Sequence, residues 1–86
     1  MVEMVSVFER MIWAMRAQAL TPVAKLALIL AADRADCDCR CSDLERLAAD
    51  VNVTMERLDE ALAELIDANA ILIRKDGIEL LVRGER

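Results

Sequence analysis

The sequence predicts one small domain of mainly α (α+β) class, spanning residues 1–86. Three observations carry that expectation. Apolar residues recur at helical spacing in four separate segments. Two short strand-like runs, residues 71–75 and 78–83, flank Asp76-Gly77, a pair that favours a two-residue hairpin turn. A chain of 86 residues, 57% of them apolar, holds one modest core, and no linker, repeat or low-complexity run divides it.

The first helix is expected over residues 3–18. Met4, Phe8, Met11 and Met15 form its apolar stripe, and Glu3, Ser6, Glu9, Arg10 and Arg16 are assigned to water. Thr21 then caps a second helix, with Pro22 at the first helical position, where its missing N–H costs nothing. That helix, residues 22–34, is apolar nearly all round, so it belongs at the centre of the fold. Residues 36–41 alternate Asp, Cys, Asp, Cys, Arg, Cys, which reads as a short strand with its three thiols on one face.

Ser42 and Glu45 match a capping box that opens a short third helix, with Leu44, Leu47, Ala48 and Val51 inward. Asn52 tolerates a left-handed backbone and marks the turn. Thr54 caps a fourth helix. Met55, Leu58, Leu62, Leu65 and Ile66 line one side of it, and Glu56, Glu60 and Asp67 lie on the other.

The order helix, strand, helix, turn, helix, hairpin resembles the winged helix-turn-helix superfamily. The residues that carry the likeness are Thr21-Pro22, the run from Cys41 to Ala48, and Val51-Asn52-Val53-Thr54. Leu58, Ala61-Leu62, Leu65 and Ala70-Ile71-Leu72 complete it. It covers residues 20–83 and leaves residues 1–19 as an extra N-terminal helix beside a core of residues 20–86. It implies a winged helix-turn-helix with a C-terminal β-hairpin wing. In that family the start and outer face of the fourth helix touch DNA. The matching positions here are Thr54, Met55, Glu56, Arg57, Asp59 and Glu60, and Asn52 stands where the family usually has a turn glycine.

Charge runs against the family habit. The chain carries −5 overall. Residues 43–69 hold eight acids against Arg46 and Arg57, a net −6, whereas residues 70–86 come to +1. Carboxylates in a groove are repelled by the phosphates beside it. Four wing and tail cations (Arg74, Lys75, Arg83 and Arg86) would give a salt slope no steeper than roughly −4.

Two functions lead the expectation, with a structural subunit held by the N-terminal helix as a third. The first is a small regulator of transcription or replication that binds DNA weakly through Thr54, Arg57, Arg74 and Lys75. The second is a winged helix that no longer binds DNA and uses Glu56, Asp59, Glu60, Glu64 and Asp67 to bind or inhibit a basic, nucleic-acid-handling protein. Small phage-encoded inhibitors, some anti-CRISPR proteins among them, resemble that second description.

The Met4, Phe8, Met11 and Met15 stripe is read either as packing within the chain or as a dimer seam, and the resemblance favours a homodimer. Trp13 lies off the centre of the stripe and suits a partner anchor. Zinc wants four ligands, and the chain has three cysteines and no histidine. No metal and no cofactor are expected. No nucleophile stands beside a base and no glycine loop cradles phosphate, so an enzyme is not expected. Glu3 and Glu9 interrupt the N-terminal apolar residues, which argues against a leader peptide. The chain is expected in the cytoplasm with reduced thiols, away from membranes and without a small-molecule substrate.

Overall fold

The computed structural model describes residues 6–82. It holds four helices and a small antiparallel sheet: α1 (Val7–Arg16), α2 (Pro22–Arg34), β1 (Arg40–Cys41), α3 (Leu44–Val51), α4 (Met55–Asp67), β2 (Ile71–Arg74) and β3 (Gly77–Leu80). Met4, Arg83, Glu85 and Arg86 lie outside the described residues.

Local chemistry sets the ends of each helix. In α1, Ser6 and Glu9 form a reciprocal capping box, with Ser6 N–H donating to Glu9 Oε1 (3.2 Å) and Glu9 N–H to Ser6 Oγ (3.1 Å). The helix therefore starts at Val7, later than the apolar periodicity suggests. Thr21 caps α2, as its Thr-Pro sequence predicts. Asp43 caps α3 in place of the expected Ser42, and its Oδ1 accepts from Arg46 N–H at 3.1 Å. Asn52 closes α3 in the left-handed region with φ 70°, and Thr54 caps α4.

The expected strand over residues 36–41 is mostly a turn. Asp36 Oδ1 accepts from the N–H groups of Asp38 and Arg40, and Cys39 takes φ 64°. Only Arg40–Cys41 pairs as strand. The three thiols consequently part company: Cys37 is exposed while Cys39 and Cys41 are buried. Aspartate at the head of the run, which favours such side-chain turns, overrides the alternation.

The sheet order is β1-β3-β2. Ile71 faces Leu80, Ile73 faces Ile78, and Arg74 faces Gly77, so Lys75 and Asp76 form the two-residue turn. Gly77 is thus a strand residue and not part of the turn. A Cβ there would sit 2.3 Å from the Cys41 carbonyl oxygen, so glycine is required for close approach between neighbouring strands.

Helix α2 packs against α1, α3, α4 and β1, as its lack of a polar face predicts. Leu28, Leu47, Leu58, Leu65, Ile71 and Ile78 fill the core, with Ala14 of α1 and Ala24, Ala27, Ala31 and Ala32 of α2 fully buried around them. The α1–α2 contact is closed by two cations. Arg10 donates to the carbonyls of Ala32 (2.8 Å) and Ala35 (2.7 Å) at the end of α2. Lys25 donates to the carbonyls of Met15 (2.8 Å) and Ala17 at the end of α1. Each helix supplies the positive charge that the other's C-terminus favours. Arg10, assigned to water from sequence, is 5% exposed.

No described helix is long and apolar enough to cross a membrane.

Candidate functional site

Helix α4 is continuous and turns its leucines inward. Leu58, Ala61, Leu62 and Leu65 are buried against α2 and β2. The opposite side carries Glu56, Glu60 and Asp67, with Asp59 on its flank, all exposed. Like charges four residues apart, as in Glu56 and Glu60, destabilise a helix by about 0.2–0.5 kcal/mol per pair.

Glu64 does something different from its neighbours. Its Oε2 accepts the backbone N–H of Thr21 (2.8 Å) and its Oε1 accepts the Thr21 hydroxyl proton (2.7 Å). The Thr21 hydroxyl in turn accepts from Ala24 N–H at the start of α2. These bonds, the backbone one first, hold the Glu64 carboxyl below its ordinary value. Both oxygens are committed to fixing α4 against the head of α2, and the outward acidic ridge comes down to Glu56, Asp59, Glu60 and Asp67.

The four positions expected to meet nucleic acid are spread over two elements. Thr54 Oγ1 accepts Arg57 N–H as the α4 cap (3.1 Å). The Arg57 guanidinium lies 3.4 Å from Glu60. Arg74 donates through Nε to Glu79 across the hairpin at 2.7 Å, with Nη2 at 2.5 Å from the same oxygen. Lys75 is exposed at the hairpin tip. Two of the three cations thus already face a carboxylate. The exposed Arg57 pair is cheap to break, at roughly 0–1 kcal/mol. The doubly contacted Arg74 is held more firmly, because Glu79 is only 19% exposed.

Around α1 the expected stripe splits. Met11 packs against the core, while Phe8 and Met15 are 71% and 60% exposed. Ile12, which the stripe passes over, is half-buried and stands outside the core cluster. Trp13 is half-buried and packs against that cluster. It lines an open cleft of about 640 Å³ with Glu9, Ile12, Arg16 and Asn69.

Among the described residues no three His, Cys, Asp or Glu side chains group as metal ligands. Burial, foremost, raises the Cys41 thiol above its ordinary value, so it is a poor nucleophile near neutrality. No protein-family model, curated protein or solved structure matches the chain.

Proposed function

We propose that this chain is a winged-helix regulator of a nucleic-acid process that acts through a protein contact. In it α4 presents its carboxylate ridge to a basic surface. The element order supports the winged-helix part: α2, β1, α3, α4 and the β2–β3 hairpin follow one another as in that fold, with β1 paired to the hairpin. The observation that carries the functional part is the outer face of α4. Glu56, Asp59, Glu60 and Asp67 occupy the side that would have to enter a DNA groove. Breaking the Arg57–Glu60 pair costs little, so pairing alone would not forbid DNA. Bringing unpaired carboxylates against phosphates is the decisive penalty, and a basic protein surface converts the same charges into steering and attraction.

Two measurements test this. Fluorescence anisotropy with a labelled duplex at about 50 mM salt should show no saturable binding by the wild-type chain. Saturable binding with a salt slope of roughly −2 to −4 would overturn the proposal in favour of DNA contact through Thr54, Arg57, Arg74 and Lys75. In capture from nuclease-treated source lysate, the Glu56→Lys/Glu60→Lys variant should lose a protein that the wild type retains. The charge-matched control Asp33→Lys/Glu45→Lys should keep it. Equal capture by both variants, or loss by both, removes α4 as the binding face.

A further inference from the structure

We propose that the outer face of α1 is the seam of a homodimer in which two copies of this helix pack antiparallel. This rests on α1 alone and is independent of the role given to α4.

The orientation of α1 is fixed from inside. Arg10 and Ala14 are buried, and Arg10 and Lys25 bind the two helices end to end. Helical spacing then places Phe8, Ile12 and Met15 on the side away from Arg10 and Ala14. Their separations of four and three residues are those of a helix–helix seam. Phe8 and Met15 expose more than half of their surface, and nothing within residues 6–82 covers them. A pair of large apolar side chains held outward on a rigid helix is the feature that a second copy would bury.

Charge complementarity selects the direction. Glu9 and Arg16 flank the same seam, one residue after Phe8 and one after Met15. In an antiparallel pair with its two-fold axis near Ile12, Phe8 meets Met15 of the second copy, and Ile12 lies beside its own symmetry mate. Glu9 then comes alongside Arg16 of the second copy. The arrangement therefore makes two sulfur–aromatic contacts and two opposite-charge pairs per dimer. A parallel pair stacks Phe8 on Phe8 and sets Arg16 beside Met11, so it pairs no charges. The seam is self-complementary only when the helices run in opposite directions.

Sedimentation equilibrium of the full chain, from low to high micromolar concentration, tests the proposal. The wild type should show a monomer–dimer equilibrium. Phe8→Glu/Met15→Glu should be monomeric throughout with an unchanged far-ultraviolet spectrum, since both side chains are already outside the fold. Arg16→Glu should weaken the dimer by about tenfold, because two attractive pairs become repulsive. Adding Glu9→Gln to that variant, which removes the repulsion but keeps an acceptor for the Ser6 N–H, should recover part of the lost affinity. A wild type that stays monomeric at every concentration overturns the seam, whether or not a lipid surface or another protein binds the same face. A dimer that survives Phe8→Glu/Met15→Glu overturns its location, and an Arg16→Glu variant whose association is unaffected by Glu9→Gln overturns the antiparallel register.

Discussion

Glu64 shows how one side chain can be misjudged by its company. From sequence it belongs with Glu56, Asp59, Glu60 and Asp67, one turn further along the same helix. In the fold it is the acceptor for both donors of Thr21, 43 residues away. The cap itself was legible, because Thr-Pro before an apolar run is a local signal. Its distant partner was not, because nothing local marks which acid will face it. The bonds lower the Glu64 carboxyl below 4.5, so its charged form favours the folded state. That contribution is complete above the unfolded value and disappears as pH falls through the folded one. Glu64→Gln keeps one acceptor and loses the charge. It should lower the urea midpoint near pH 7, and the gap to wild type should narrow as pH falls through the lowered Glu64 value. A gap of constant size across that range would show that the Thr21 contact is not charge-assisted.

At the scale of elements, helices α2, α3 and α4 and the hairpin were legible because their signals are local: the Thr21 and Thr54 caps, a left-handed Asn52, and two strand runs about a turn, although the α3 cap and the turn each lie one residue from the expected place. The placement of α1 was not. Its periodicity was read from its largest residues, and two of these, Phe8 and Met15, point outward. The buried face is made of Ala14 and the stem of Arg10, which add little to an apolar pattern but let two helices approach closely. A cation in that position has a definite task. Removing it leaves the Ala32 and Ala35 carbonyls without their donors and opens a void between α1 and α2. Arg10→Ala should destabilise the chain by about 2–4 kcal/mol in urea unfolding, since hydrogen bonds to charged groups are worth about 1.5–3 kcal/mol each and relief of the buried charge returns part of that. Arg16→Ala, on the exposed side of the same helix, should change stability by less than about 0.5 kcal/mol. Equal effects from the two would mean that α1 is merely laid on the surface.

Across the whole molecule, among the described residues, Arg10 is buried and Lys25 half-buried, and the other cations are exposed. Arg10 and Lys25 bind helix ends, Arg34 pairs with Asp50, and Arg74 with Glu79. On α4, Glu56, Asp59, Glu60 and Asp67 are all exposed, and Arg57 is the cation that stands among them. The Arg10 and Lys25 contacts decide whether α1 is an appendage or part of one cooperative unit. Reciprocal capping of α1 and α2, with α2 also holding α3, α4 and β1, predicts a single transition. Trp13 is the sole tryptophan and reports α1. Far-ultraviolet circular dichroism is dominated by the remaining helices. The two signals should follow one urea curve with coincident midpoints, and both midpoints should rise together with protein concentration if the α1 seam forms a dimer. A tryptophan transition that precedes the loss of helix would mean that α1 detaches first. The Arg10 and Lys25 contacts would then be too weak to hold it, and α1 could not present Phe8 and Met15 as a rigid surface.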